Sequence, residues 1–397
     1  MRPRRMSSTK WASWPRRWAA KRRPSPSSRK SIPWTSSTAT SPSGSKPPIR
    51  KSSPRMKKTA SPAFVAGILF AALLGSAGCR PCGSVCGTPP PATAPTAFPR
   101  PAENEFSVMT FNLHQYALAD REGAADPLAP KPREEAAAIV DAIRQISPDI
   151  LAVQEMGDPR AWDDFKLRLR DAGVEAYPYE EYLRQDPGDR NLALLSRFPI
   201  AARNAHTDDT YTIGPTQFPV RRGILEVDLD IPPAYRLRLM VAHLKSKLFH
   251  EYGQAEMRRN EARLLCNHVR AALKDDPDIN LLVLGDLNDD PASRPLREIV
   301  QYQGETILHD LRPEDSTGAA WTYRGADDNH QRLDYLLASK GLLPEVVLAK
   351  TYVVNLRSLA TASDHRPLVG TFVAAERPPE AAPDLSSRKS GEFPMDD

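Results

Sequence analysis

The sequence predicts an α+β fold in which two mostly antiparallel sheets pack face to face and helices cover the outside. Long strand-like segments follow one another along the chain, and few helical segments separate them. The helical segments have one apolar face, as helices that cover a sheet do. A regular alternation of strands and helices would instead indicate a parallel βαβ arrangement.

Each element follows from its residue pattern. FSVMTFNL (106–113) predicts a strand, and KPREEAAAIVDAIRQI (131–146) predicts an amphipathic helix with acidic residues in its first turn. DILAVQE (149–155) is typical of a buried strand, and DPRAWDDFKLRLRDAG (158–173) of a helix closed by Gly173. The later predicted elements are strands at 191–198, 222–231 and 236–244, a helix at about 252–274, a strand at 279–288, a short helix near 293–301, and strands at 332–339 and 367–374.

Composition separates a globular domain, predicted at 103–375, from its flanks. Residues 1–55 contain fifteen Lys or Arg and no acidic residue, and no apolar period runs through them. A basic tail that binds nucleic acid or an anionic surface is one interpretation, but we favour a spurious or disordered extension. Residues 80–102 form a Pro-rich linker, and residues 376–397 have the composition of a disordered tail.

Residues 56–79, MKKTASPAFVAGILFAALLGSAGC, have the layout of a signal peptide, with a basic start and an apolar centre. The true start is therefore expected at Met56 and the protein outside the cytoplasm. The ending resembles a bacterial lipobox with Ser76 where Leu is usual, which predicts lipid attachment and a membrane tether at Cys79. Plain secretion is the next alternative. A transmembrane helix comes third, because the strongly apolar core (63–74) is shorter than the ~20 residues that span a bilayer.

The remaining cysteines suggest no metal site. Cys82 and Cys86 could pair in a disulfide if Cys79 carries lipid, whereas Cys266 lies in a helical pattern and is expected to be a buried core thiol.

The apparent basicity of the chain comes from its first 55 residues. The whole chain has a net charge of +5, but from Met56 onward 39 basic residues face 49 acidic ones, a balance of −10. An acidic domain lacks the positive surface that tight nucleic-acid binding requires. A nuclease is still compatible with this charge, because a local metal ion can offset the repulsion from phosphate.

Several predicted strands end in polar residues of the types that handle metal ions and phosphate. Asp and Glu oxygens and Asn carbonyls are the hard ligands that Mg²⁺ or Mn²⁺ selects, and His titrates near neutral pH. Each residue alone has a bland explanation as a turn or surface residue. The set consists of Asn112, Glu155, His243, Asp286, Asn288, Asp334, Asp364 and His365.

In order and wording these motifs resemble the endonuclease/exonuclease/phosphatase superfamily, which has the DNase I-like fold. That resemblance rests on Asn112, the QE at a strand end, the His243 strand, GDLN, LDY and SDH, spread over about residues 105–374. It implies a four-layer α/β/β/α sandwich and a Mg²⁺-dependent phosphoesterase, with Mn²⁺ as an alternative ion.

The resemblance also implies a role for each residue. Glu155 would be the principal metal ligand, helped by Asn112 and Asp364. Asp286 and Asn288 would hold the phosphate and the attacking water, or a second metal. His365, oriented by Asp334, would be the general base or a phosphate contact.

His243 would polarise the phosphate or protonate the leaving group, and the sequence shows no acidic partner for it. Candidate substrate-binding residues are Asn191, Lys245 and Arg221, with Arg222 an equal alternative to Arg221, and a structural role competes for each. We expect His114 and His330 to be surface residues rather than metal ligands.

Rival functions are separated by simple features. A P-loop NTPase is excluded, since no Gly-Lys pair occurs in the sequence. A non-catalytic binding module would tolerate damage to the site residues, and all are intact. Among enzymes we expect an exported nuclease or general phosphodiesterase, since no long apolar loop with exposed aromatic residues is visible. A lipid or inositol phosphoesterase of the sphingomyelinase type is the alternative, and we expect a monomer without a protein partner.

Overall fold

A computed structural model describes residues 98–119, 128–186 and 190–388. The predicted extension, the signal and lipobox-like segment with Cys79, and most of the Pro-rich linker lie outside these residues. The described residues form one compact unit with its own core. Among the residues described, no helix combines the length and apolarity needed to cross a membrane.

The helices and strands follow the order that the sequence predicts, with additional short strands. The helices are α1 (Arg133–Ile146), α2 (Pro159–Asp171), α3 (Gln254–Asp275) and α4 (Arg294–Val300). The first strands are β1 (Glu105–Tyr116), β2 (Ile150–Met156), β3 (Tyr179–Leu183), β4 (Asn191–Ser196), β5 (Ile200–Arg203), β6 (Thr210–Ile213), β7 (Thr216–Pro219), β8 (Ile224–Ile231) and β9 (Tyr235–His243). The later strands are β10 (Leu281–Asp286), β11 (Gln301–Tyr302), β12 (Glu305–Thr306), β13 (Leu308–Asp310), β14 (Tyr323–Arg324), β15 (His330–Gln331), β16 (Asp334–Ser339), β17 (Tyr352–Val353) and β18 (Leu368–Val373).

Two six-stranded sheets form the body of the domain. Their strand orders are β17-β18-β1-β2-β4-β3 and β13-β16-β10-β9-β8-β5. In each sheet the two central strands are parallel, β1 with β2 and β9 with β10, and every other pair is antiparallel. The prediction of two mostly antiparallel sheets is therefore confirmed.

Three apolar layers hold the sandwich together. Side chains such as Phe106 and Leu239 fill the space between the two sheets. The outer face of the first sheet packs against α1 and α2 through residues that include Ile139 and Phe165, and α3 and α4 cover the second sheet. Each such buried side chain contributes about 1.5–3 kcal/mol. The predicted α/β/β/α layering follows from this burial, and Cys266 is buried in α3 as predicted.

Both predicted flanks touch the domain where the structure describes them. At the linker end, Phe98 stacks on Tyr352, and the Arg100 guanidinium donates to backbone carbonyls at the end of α1. At the other end, residues 376–388 pack against the body instead of forming part of a disordered tail. The Arg377 amide donates to Glu345 (2.8 Å), and Leu385 lies against the inter-sheet core. The polar composition of this segment concealed these few anchoring contacts.

Candidate active site

The candidate site lies where the central parallel strands of the two sheets end. β1 and β2 run in the same direction, so Asn112 and Glu155 reach one edge of their sheet. β9 and β10 do the same for His243 and Asp286, which are paired in register. Because the sheets face each other, the four strand ends meet, and the Asn112 amide nitrogen donates to Asp286 Oδ2 across the sandwich (3.0 Å).

Strand alternation explains which of these side chains point inward. Successive side chains of a strand point to opposite faces of the sheet. On β10, Leu282 and Leu284 belong to the inter-sheet core, so Asp286 continues the same face. Asn112, His243 and Asp334 also lie an even number of residues from apolar residues of their own strands that face the other sheet. Their side chains therefore point between the sheets as well.

Glu155 departs from this alternation. On β2, Leu151 and Val153 face α1 and α2, so regular alternation would turn Glu155 away from the site. Its φ of +59° and a shift in strand register between Val153 and Met156 break the pattern. The side chain then lies beside Asn112, whose amide nitrogen is 3.5 Å from Glu155 Oε1. The amide of Gln115 donates to the other carboxylate oxygen (3.0 Å).

Asp286 is the central acceptor of the site. It is buried, and its Oδ2 accepts hydrogen bonds from Asn112 Nδ2 and Asn288 Nδ2 (3.1 Å). The Asn288 backbone amide donates to Oδ1 (2.9 Å). Asn288 reaches Asp286 through a left-handed turn with a φ of +55°, after β10 has ended. The sequence therefore placed the pair together correctly, but a turn rather than strand alternation aligns them.

His365 lies between two carboxylates, those of Asp334 and Asp286. Its Nδ1 donates to Asp334 Oδ2 (2.7 Å), and its Nε2 lies 3.7 Å from Asp286 Oδ2. Burial lowers the pKa of His365, but the negative charges of Asp334 and Asp286 outweigh burial and raise it to about 10. The imidazole is therefore a cation at neutral pH.

Three side chains form a compact buried cluster, in which the two carboxylates could bind a cation but His365 offers it no lone pair while protonated. One ligand atom each from Asp286, Asp334 and His365 lies within 4.8 Å of the others, and all three residues are buried. Burial raises the pKa of Asp286 to about 7, with the Asp334 charge adding to the effect and His365 opposing it. The carboxyl group thus titrates near neutral pH.

His243 is the second imidazole of the site. Its Nε2 lies 3.4 Å from Asp286 Oδ2 and 3.9 Å from Glu155 Oε1, so these acids are the nearest carboxylates, which the sequence could not identify. Burial, followed by the positive charges of Arg222 and His365, holds the pKa of His243 well below its usual range. His243 is therefore neutral at physiological pH.

The structure distinguishes the two arginines that the sequence left as alternatives. Arg221 is half exposed, and its Nε donates to Asp186 (3.0 Å). Arg222 is buried beside His243, and one guanidinium nitrogen donates to the Leu244 carbonyl (3.0 Å). Its charge acts on the site, so Arg222 is the better candidate for a phosphate contact.

Of the other predicted substrate-binding residues, Asn191 has a structural role instead. It is buried, its Oδ1 accepts from two backbone amides in 185–186, and its Nδ2 donates to the carbonyls of Met156 and Gly157 (both 3.2 Å). Its amide is fully engaged, and it supports the chain just after Glu155. Lys245 is half buried, and burial together with the charge of Arg222 lowers its pKa. Its contact with substrate stays a prediction.

Asp364 and the two surface histidines lie at the rim. Asp364 is 30% exposed, yet its Oδ1 is buried without a hydrogen-bond partner in the described part of the chain. His114 is 47% exposed, with Nδ1 3.8 Å from that oxygen. The ring of His330, in β15, lies 4.2 Å from that of Trp321 at an angle of 45°.

The acidic residues that follow Asn288 stabilise the turn, as the sequence indicated. Asp289 forms a buried ion pair with Arg258 of α3 (2.7 Å), and Asp290 pairs with Lys247 (2.6 Å). These pairs fix the chain between β10 and α4 and keep both carboxylates away from the cluster around Asp286.

Three polar residues of the site were not identified from the sequence. Thr322 Oγ1 accepts from the amides of Leu333 and Asp334 (both 3.0 Å). Ser363 Oγ donates to the Asn112 carbonyl (2.8 Å) and accepts from the His365 amide (3.0 Å), which ties the SDH loop to β1. Its place in the SDH motif was the available signal.

Tyr323 is the third. Its ring lies 5.0 Å from that of His365. Burial raises the pKa of Tyr323, and the charges of Asp364, Asp286 and Glu155 raise it further. Its hydroxyl therefore lies within the field of the carboxylate cluster.

Comparison with models of protein families gives one match for the chain. The model of the Endonuclease/Exonuclease/phosphatase family matches residues 109–365, a range that includes every residue of the cluster. In a search of curated proteins, none matches the sequence of the chain.

Several solved structures resemble the chain at low sequence identity. Truncated Caenorhabditis elegans TDP2 is 18% identical with a TM-score of 0.47, covering 68% of this chain and 98% of its own. The human Nocturnin catalytic domain with bound sulfate is 19% identical with a TM-score of 0.49, and the match covers 69% of this chain and 96% of the Nocturnin chain. Sphingomyelinase C from Streptomyces griseocarneus is 19% identical with a TM-score of 0.45, and the match covers 68% of this chain and 99% of the sphingomyelinase chain.

Proposed function

Because the chain belongs to the endonuclease/exonuclease/phosphatase family, we propose that it hydrolyses phosphodiesters with the help of a divalent metal ion. The observation that carries the proposal is the buried cluster of Asp286, Asp334 and His365, joined across the sandwich by Asn112. Burying several carboxylates without neutralising them costs free energy, so such a cluster is expected where a function requires it.

The donor set fits a hard cation such as Mg²⁺ or Mn²⁺. Glu155 and Asp364 would supply carboxylate oxygens, and Asp364 Oδ1 is buried without a hydrogen-bond partner among the described residues. Asn112 directs its amide nitrogen toward the carboxylates, so it would have to rotate its amide to offer its oxygen. When bound, the ion would supply positive charge near the phosphoryl oxygens.

The residues of the chain supply the other requirements of hydrolysis. Water must lose a proton as its oxygen bonds to phosphorus, and the bond to the leaving oxygen must break. Asp286, with a pKa of about 7, is suited to take that proton. The raised pKa of His365 favours its role as a cationic phosphate contact over that of a general base.

His243 and Arg222 would act on the other side of the phosphate. Since burial keeps His243 neutral, it is suited to donate a hydrogen bond from Nε2 rather than to deliver a proton from a stable imidazolium. Arg222 adds a fixed positive charge beside it. Together they would stabilise the extra negative charge of the transition state.

The test is hydrolysis of bis(p-nitrophenyl) phosphate with Mg²⁺ or Mn²⁺, before and after addition of a chelator. We expect chelation to abolish turnover, and Asp286→Asn or His365→Ala to lower kcat by roughly 10²–10³-fold or more. Asp290→Asn is the matched control, because this acid pairs with Lys247 away from the cluster. Near-normal rates in both site variants, or chelator-resistant rates, would contradict the proposal. Complete inactivity on DNA, RNA, inositol phosphates and sphingomyelin as well would favour the binding-module alternative.

A further inference from the structure

Exposed apolar side chains concentrate in the loop that joins β9 to α3 (residues 244–253), here called the apolar loop. In the described part of the chain, six large apolar side chains are exposed. Three of them, Leu248, Phe249 and Tyr252, lie in this loop, and Leu248 and Phe249 are 74% and 86% exposed. The sequence analysis missed this surface, because the two residues interrupt the polar run KSKLFHEYG only briefly.

Hydrogen bonds fix the base of the apolar loop, and this holds its tip in an exposed position. Arg258 donates to the carbonyls of Lys245 (3.1 Å) and Ser246 (3.3 Å). Lys247 Nζ donates to Asp290 (2.6 Å) and to Gln331 (3.2 Å). Holding a Phe and a Leu in water forfeits about 1.5–3 kcal/mol of burial for each. Exposed patches of this kind mark interaction surfaces.

An aromatic cluster extends the apolar surface next to the tip. The Phe218 ring of β7 lies 4.9 Å from that of Tyr252 and 6.2 Å from that of His250. Phe218 also stacks on Tyr211 of the β6–β7 hairpin. Amphipathic rings such as Tyr and His are suited to a boundary between water and an apolar phase.

The apolar loop borders the candidate site. It begins directly after His243, the last residue of β9. Through Lys247 it contacts Gln331 of β15, which pairs with Tyr323, and Tyr323 in turn bridges to His365. A surface that receives Leu248 and Phe249 would therefore be brought close to the phosphate-handling residues.

We propose that the apolar loop inserts into a phospholipid bilayer and that the substrate is a phosphodiester of a membrane lipid. This inference rests on the proposed function for the chemistry. Adjacent Leu and Phe at the exposed tip suit acyl chains. Leu248 offers a base no ring to stack on, and the rings of Phe218, His250 and Tyr252 pack on one another. The acidic balance of the chain from Met56 onward opposes a polyanion such as nucleic acid. The anchored export predicted from residues 56–79 would place the domain beside such a bilayer.

The experiment uses residues 87–397, which include the whole described domain, and vesicles of phosphatidylcholine. Leu248→Ser/Phe249→Ser should reduce co-sedimentation with vesicles and hydrolysis of vesicle lipid at least about ten-fold. Hydrolysis of bis(p-nitrophenyl) phosphate should stay within about two-fold, because neither residue belongs to the cluster. Leu128→Ser/Leu167→Ser, at exposed positions elsewhere, is the matched control and should sediment like the parent.

A direct readout comes from Phe249→Trp. Its fluorescence should be quenched by lipids brominated on their acyl chains, whereas that of Leu167→Trp should not. Equal sedimentation of the parent and the Leu248→Ser/Phe249→Ser variant with vesicles overturns docking. The proposal is also overturned if this variant binds single-stranded DNA more weakly than the parent does but binds vesicles equally well. If the parent fails to cleave any phosphodiester while vesicle binding still depends on the loop, docking stands and the proposed chemistry fails.

Discussion

At the residue scale, two residues of the site have a positive φ. Glu155 has a φ of +59° and Asn288 of +55°. The left-handed region costs a non-glycine residue about 1–2 kcal/mol. Local hydrogen bonds offset this cost, from the Gln115 amide to Glu155 and from Asn288 to Asp286. In both residues the positive φ turns the side chain into the site. Strained backbone of this kind is common at functional residues.

A charge substitution beside His365 tests the electrostatics of the site. The Asp334 charge is the largest of the influences that raise the pKa of His365 to about 10. In Asp334→Asn this pKa should fall from its value of about 10, so the imidazole should lose its proton at a lower pH than in the parent. NMR titration of the histidine ring in metal-free protein measures this. Asp328→Asn, an exposed acid near His330, is the control, and an unchanged His365 titration in Asp334→Asn would contradict the assignment.

At the scale of elements, the parallel pair β9–β10 requires a very close approach of two backbones. Gly285, directly before Asp286, has a φ of +125°, and a Cβ built there would lie 2.1 Å from the Ala242 carbonyl oxygen. Only glycine fits this position. The glycine of the GDLN motif thus serves strand packing, and the acid after it reaches the site as a result.

Gly285→Ala should therefore lower the free energy of unfolding by about 3 kcal/mol or more, since β9 and β10 must separate. Gly304→Ala is the comparison variant, because its φ of +86° is also positive but nothing lies within 4 Å of the added Cβ. We expect it to cost only about 1 kcal/mol. Urea denaturation of both variants measures the difference, and similar losses would refute the close-approach argument.

At the scale of the whole molecule, the predicted anchor and the apolar loop lead to the same location. The segment 56–79 predicts export and lipid attachment at Cys79, and the linker that follows would tether the domain within reach of the bilayer. A second apolar contact would orient the domain on the bilayer as well as strengthen attachment. The apolar loop could provide that contact on the face that carries the site.

Replacing the predicted lipid-bearing cysteine tests the anchor. In bacteria that express the full sequence, labelled fatty acid should enter the parent protein, which should fractionate with membranes. Cys79→Ser should lose the label and leave the integral membrane fraction, while Cys266→Ser, in the buried helix, should behave like the parent. Persistent label in Cys79→Ser would refute lipidation there, and recovery of peptides from residues 1–55 would refute a start at Met56.

The long central strands and the helices were predictable because their burial is local and regular. Seven strands carry enough apolar residues to be recognised from sequence: β1, β2, β8, β9, β10, β16 and β18. Short edge strands such as β3 and β5 were missed, since their residues become a strand only through a neighbouring strand. The left-handed turn at Glu155 was also invisible, because nothing in the LAVQE segment indicates that regular alternation ends there.

The sequence by itself determined the layered fold and the family, and it proposed the residues of the site, because alternation and motif order are properties of the chain alone. Only the tertiary structure decided how they are used. It buried Arg222 and left Arg221 half exposed, engaged Asn191 in backbone hydrogen bonds, and packed residues 376–388 on the domain. It also displayed Leu248 and Phe249 beside the site. These outcomes depend on distances between segments far apart in the chain, which residue patterns do not encode.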